Sequence, residues 1–188
     1  MILGFVSPGY TLWGTRIAPY RPISQPISGL GLGATGPVMN AGFVVGGLVL
    51  AAGVIATFQS IPQLSPRARW ACTALLPLSP LGMVVCGIFT LQSMMLHLAG
   101  FLLAAATPVL GFLIAGVVLR RIPRWHRFGD GLLIASPLTL TLLVLYVLTF
   151  SPTVAGIESG VAGLTQRVAV IEVHAWFVAL GWLAFRRS

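Results

Sequence analysis

An all-α, polytopic transmembrane helix bundle is the fold that this sequence predicts, and three observations predict it. Apolar residues make up 57% of the 188 positions and charged residues only 7%. The mean hydropathy is +0.97, too apolar for an ordinary soluble surface. The apolar residues gather in uncharged runs of about the 20 residues that a helix needs to cross a bilayer, where an open loop has no place. The reading is five full spans behind a short N-terminal apolar segment.

Residues 1–37 come first, as an apolar stub followed by a Pro/Gly/Ser-rich loop. The stub "MILGFVSPGYTLWG" is too short to span, and it lacks the positive flank and cleavage site of a signal peptide. The following "PYRPISQPISGLGLGATGP" reads as an ordered loop rather than a helix. Residues 38–188 form a single membrane domain. Its spans are placed at Val38 to Phe58, Trp70 to Phe89, Met94 to Leu119, Leu132 to Phe150, and Val168 to Phe185. Pro77, Pro80, Pro108 and Pro137 fall inside these runs, as kinks that neighbouring helices accommodate. Asp130 in "FGDGLL" reads as the cap of the fourth span rather than as a chemical group.

The arginines set the orientation. Arg67 and Arg69 lie in the first interspan loop, Arg120, Arg121, Arg124 and Arg127 in the third, and Arg186 and Arg187 in the tail. Short basic loops belong in the cytoplasm, so the C-terminus is expected inside. The "TLQSM" turn is uncharged and the last loop carries only Glu158 and Arg167, which places both outside, together with residues 1–37. Trp70 and Trp125 then fall at the cytoplasmic interface. Eleven arginines against three acids are thereby explained by topology, and no nucleic-acid partner is expected.

The chemical motifs are sparse. No CxxC, HExxH, P-loop or GxSxG pattern occurs. Cys72 and Cys86 lie in one helical run, roughly 21 Å apart at 1.5 Å per residue, so they form no disulfide with each other and read as small packing residues. Ser93, Ser159 and Thr165 have no motif joining them to a base, and no catalytic residue is assigned.

Three stretches, "PISQPISGLGLGATGPVMNAGFVVGGLVL", "GIFTLQSMMLHLAGF" and "GLTQRVAVIEVHAWFVALGWLAFRR", occur in this order. With them the chain resembles domain-of-unknown-function family nine-nine-eight from Pro19 to Arg187. The Gly-Leu-x-Gln-Arg element at Gly163, Leu164, Gln166 and Arg167 is the most specific part. The resemblance implies a six-helix prokaryotic membrane protein with no agreed biochemical activity, with Ser28, Leu30, Asn40, His97, Gly163, Gln166 and Arg167 at signature positions. Two features depart from the pattern. "TLQS" stands where many members carry an acidic residue, and the first of six helices is missing or halved. Met1 is therefore expected not to be the natural start, or the chain to have lost part of that helix.

On this topology the polar residues gather in the outer half of the bundle. Asn40 lies at the outer end of the first span, Gln92 and His97 at that of the third, and Gln166, Arg167, Glu172 and His174 in the outer part of the fifth. An ionisable group at membrane depth is expensive, so it faces the bundle interior and has a partner. Arg167, Ile171 and His174 share an i, i+4, i+7 face, whereas Glu172 and His174 point roughly 200° apart and do not bind one metal together. Glu172, in line with Val168 and Trp176, meets a second bundle contact or reaches the headgroups. A three-ligand zinc site is poorly supported, and neither metal nor cofactor is expected, although His97 and His174 at similar depth make a bis-histidine haem conceivable. The reading preferred is a polar network tying "PISQPIS" to the start of the fifth span, with Arg167 paired to a carboxylate or to backbone carbonyls.

Three functions compete: a non-enzymatic envelope or lipid-associated accessory factor or assembly subunit, a small-molecule carrier, and an enzyme acting on a lipid or quinone near the outer headgroups. The first is preferred, and the absence of inverted repeats and paired broken helices counts against the second. Membrane lipids are the expected partners, with a protein partner or a second copy of the chain as further candidates. A prokaryotic cell membrane is the expected location.

Overall fold

A computed structural model describes residues 3–17, 19–150 and 160–186. Met1, Glu158, Ser159 and Arg187, on which sequence expectations rest, lie outside the described residues. The N-terminal segment is a small structured plug. A single helical turn, α1 (Leu3–Val6), leads to an antiparallel hairpin of β1 (Tyr10–Leu12) and β2 (Thr15–Ile17). Its two-residue turn needs positive φ at both positions, as a type I′ turn does, and Trp13 and Gly14 supply 46° and 81°. Two 3-10 turns, Ile27–Gly31 and Gly33–Thr35, complete the plug. Tyr10, Ile17, Tyr20, Leu30 and Leu32 form its own small core.

The helices follow: α2 (Gly36–Ser60), α3 (Pro66–Leu75), α4 (Leu78–Ile88), α5 (Met94–Leu119), α6 (His126–Thr149) and α7 (Ala162–Phe185). Five helices, with α3 and α4 counted as one span, are long and apolar enough to cross a membrane. Consecutive spans pack on one another, and α7 returns to α2. Starts are set by local chemistry. Pro37 opens the first turn of α2, while Ser65 caps α3 by accepting from the Ala68 amide just before Pro66. The main core lies toward the arginine-bearing end, around Phe58, Phe112, Ala115 and Leu119, with Phe112 edge-on to Phe177 at 5.8 Å.

Several helix starts lie earlier than the sequence expectation. The second span begins at Pro66 rather than Trp70, the fourth at His126 rather than Leu132, and the fifth at Ala162 rather than Val168. Asp130 therefore caps nothing. It sits inside α6, half-exposed, 3.3 Å from Arg120 Nε. Trp125 is not an interfacial belt residue either: it is 6% exposed and packs edge-on to Phe128 in the core.

The prolines act differently from one another. Pro77 sits between α3 and α4 and divides that span. Pro108 lies inside α5 and offers no amide to the Ala104 carbonyl one turn back. The Ser79 hydroxyl of α4 donates to that carbonyl at 2.8 Å. Such repair permits proline where no water can substitute. The same helix pair approaches closely at Gly82, where a Cβ would strike the Ala104 amide and the Gly100 carbonyl.

Candidate functional site

The start of α7 is built around the plug. Gly163 has no room for a side chain, because a Cβ would meet the Pro22 and Gln25 carbonyl oxygens. The Leu164 amide donates to the Ile23 carbonyl at 2.8 Å. One turn on, Gln166 Oε1 accepts from the Ile27 amide at 2.6 Å. Arg167 Nη1 lies 2.5 Å from the Pro22 carbonyl, 3.2 Å from that of Gln25 and 2.8 Å from that of Gly163. Its Nη2 donates to the Tyr20 hydroxyl at 2.6 Å, and the guanidinium stands 5.7 Å from the Tyr20 ring centre. Arg167 is 8% exposed. Its partners are neutral oxygens, not a carboxylate.

Three more of the sequence-selected residues hold the same plug. Asn40 Nδ2 donates to the Gly31 carbonyl at 3.0 Å, and Gln92 Nε2 to that of Thr11 at 3.2 Å. His97 places Nδ1 2.7 Å from the Phe89 carbonyl and Nε2 2.9 Å from Ser28 Oγ. A carbonyl only accepts, so Nδ1 carries the hydrogen and Nε2 accepts from Ser28, a tautomer assigned from its partners. Burial pushes the Tyr10 phenol of the plug up to about 12, with Tyr20 adding to it. Burial also raises Tyr20, while the hydrogen bond and charge of Arg167 pull it the other way.

Glu172 and His174 stand apart from this clamp. Glu172 faces α6, with Oε2 2.9 Å from Thr139 Oγ1 and Oε1 accepting from Trp176 Nε1 at 2.8 Å. Of the two placements open to it, this is the bundle contact. His174 lies seven residues beyond Arg167, about 10 Å deeper at the helical rise. Of the face expected to join Arg167, Ile171 and His174, the first and last turn inward, whereas Ile171 is 54% exposed. Gln166, Val170 and Val173 line the interior with them.

Between α2, α4, α5, α6 and α7 lies a cavity of about 250 Å³. Its walls are mainly apolar, including Met39, Phe43, Met83, Phe101, Ala105 and Val173, and Ile27, Ser28 and Leu30 close it from the plug side. Gln166, Arg167, Thr139, Tyr146 and His174 reach it. Sequence reasoning passed over Tyr146, whose signal was plain: a phenol inside the apolar run "TLLVLYVLTF". Met83 and Ser79 carried no such signal.

The haem arrangement does not fit. Both ring nitrogens of His97 are engaged by Phe89 and Ser28, which leaves none for iron. Among the described residues, no three His, Cys, Asp or Glu side chains are grouped as metal ligands.

Fold and site together define a class: a membrane-spanning helix bundle whose N-terminal plug covers an interior apolar cavity. The chain belongs to the family described as "Protein of unknown function (DUF998)", which matches residues 5–183. No curated protein and no solved structure matches it.

Removing Arg167 leaves several buried oxygens without a donor. At roughly 1–3 kcal/mol per charge-assisted or orphaned group, Arg167→Ala should lower stability by about 3 kcal/mol or more. Arg67→Ala, at an exposed position, should change it by about 0–1 kcal/mol. Thermal unfolding of both in one detergent measures this, and equal midpoints would refute the anchoring role of Arg167.

The tyrosines make the plug sensitive to alkali. A phenol held neutral by folding stabilises fully below its ordinary pKa of 10.0, and that contribution is lost as pH rises toward about 12. The ultraviolet difference between the protein and Tyr10→Phe should show phenolate forming near pH 12. Ionisation near pH 10 would mean that the plug does not bury Tyr10 in solution.

Proposed function

We propose that this protein is a non-enzymatic, lipid-associated accessory factor of a prokaryotic cell membrane that holds an amphiphile in the cavity beneath its plug. The observation that carries the reading is the cavity itself, apolar and lined by residues of all five membrane-length spans. At about 250 Å³ it is smaller than the roughly 300–1,000 Å³ of a drug-sized site, which suits one end of a hydrocarbon chain. What supports binding over chemistry is the state of the polar groups. Gln166, Arg167 and His97 are committed to the plug, and both Glu172 oxygens have donors.

Protein purified in mild detergent should release an amphiphile on organic extraction, detected by mass spectrometry at near one per chain. Ala105→Phe, which places a ring in the cavity, should release much less. An empty extract from a wild type that also takes up no added lipid would overturn the proposal.

The plug is proposed to face outward and the C-terminus the cytoplasm. Arg67, Arg69, Arg120, Arg121, Arg124, Arg127 and Arg186 support this, since all lie at the end opposite the plug, where the positive-inside tendency places them. Thr15→Cys in the hairpin and Gln63→Cys in the α2–α3 loop test it, with Cys72 and Cys86 replaced by alanine. A thiol reagent that cannot cross membranes should label the first in intact cells and spare the second. The opposite pattern reverses the orientation.

A further inference from the structure

The hydrogen bonds of His174 identify what the cavity lacks. Nδ1 lies 2.7 Å from the Val170 carbonyl of its own helix. That oxygen only accepts, so Nδ1 carries a hydrogen, and a ring with that one hydrogen presents Nε2 as a bare lone pair, a tautomer assigned from its partners. The neighbour of Nε2 is Met83 Sδ at 3.3 Å, and a thioether has no hydrogen to give. His97, with the same tautomer, receives the Ser28 hydroxyl at this position. His174 has no such donor among the described residues. Nearby hydroxyls are committed: Ser79 to the Ala104 carbonyl, Thr139 to Glu172 or to Ala135.

Tyr146 is the second unmatched group. It is 8% exposed and lines the cavity, and its hydroxyl has no hydrogen-bond partner among the described residues. It lies nearer the plug, one turn below the Thr149–Thr165 hydroxyl pair. The apolar wall thus carries one acceptor deep in the bundle and one phenol nearer the plug.

We infer that the cavity takes an aliphatic or isoprenoid alcohol, whose hydroxyl donates to His174 Nε2 while its chain fills the apolar space. The inference rests on the proposed binding role and specifies its ligand. An ester or quinone carbonyl has no hydrogen to offer Nε2, and two facing lone pairs repel. A carboxylate likewise has no hydrogen for Nε2, and an ammonium adds charge to an apolar wall. A hydroxyl meets the acceptor and adds none. Sites that hydrogen-bond a ligand hydroxyl reject analogues lacking it, because the buried partner is then orphaned.

The test is a matched pair of probes, 1-decanol and its methyl ether, titrated into detergent-solubilised protein by calorimetry. Wild type should bind the alcohol about tenfold more tightly, the fold-change corresponding to one net hydrogen bond. His174→Leu should bind both probes alike, His174→Gln, which keeps an acceptor, should restore part of the preference, and Tyr146→Phe should retain it. Equal binding of the two probes by wild type overturns the alcohol inference and leaves the binding role standing. So does a preference that survives in His174→Leu, or one abolished by Tyr146→Phe alone. If His174→Leu fails to fold, the wild-type and Tyr146→Phe results decide. Failure of wild type to bind either probe overturns the binding role and the alcohol inference with it.

Discussion

A guanidinium buried with no carboxylate to balance it is the constraint around which this structure is arranged. Arg167 is tolerated at the start of α7 because three backbone carbonyls and a phenol surround it, and that arrangement exists only when residues 20–25 are folded against the helix. The charge and the loop need each other. The loop in turn has carbonyls that no regular element satisfies, and an unpaired carbonyl away from water costs about as much as a lost hydrogen bond. The two most distinctive stretches of the sequence, "PISQPIS" and "GLTQR", are distinctive because each is the other's hydrogen-bond partner.

The same economy runs deeper into the bundle. Three polar groups of the bundle are matched in pairs that cross between helices: Ser79 with the Ala104 carbonyl, Ser136 with that of Val109, and Glu172 with Thr139. Each pair fixes the register of two helices that apolar packing alone leaves free to slide, because lipid is as good a neighbour for leucine as another helix is. Small residues such as Gly82 bring the backbones near enough for these short side chains to reach. Beside these pairs, the lone pair of His174 and the hydroxyl of Tyr146 stand out in the cavity wall.

The spans were legible because a bilayer imposes a length and an apolar composition that a sequence displays directly, and Met94–Leu119 agrees with the structure to the residue. Helix starts were less legible. The stretch "HRFGDG" looks like a loop by its charge, yet it is helical because Phe128 packs between Trp125 and Trp176. "AGLTQR" is helical because the plug docks on it. Tertiary contacts decide both, and local composition does not contain them. The hairpin was hidden for a related reason: Trp13–Gly14 is a weak turn signal, and residues 10–17 are too few to show an alternation. The chain disclosed which residues are polar and at what depth. It did not disclose that Asn40, Gln92, His97, Gln166 and Arg167 all hold the plug while His174 does not, since that difference lies in which ring nitrogen has a neighbour.

The plug is made well before its anchors. The bonds from Gln166 and Arg167 to residues 20–27 span 139 to 147 positions of sequence. At ribosomal rates of about 5–20 residues per second, these residues wait roughly 7–29 s before Arg167 exists. Through that interval the Pro22 carbonyl lacks its Arg167 donor. Docking of the plug is therefore a closing event of biogenesis, open only to a chain whose last helix has been inserted. A molecule truncated before α7 keeps four of its spans but has nothing to fasten its beginning, and its loose N-terminal segment distinguishes it from a finished copy.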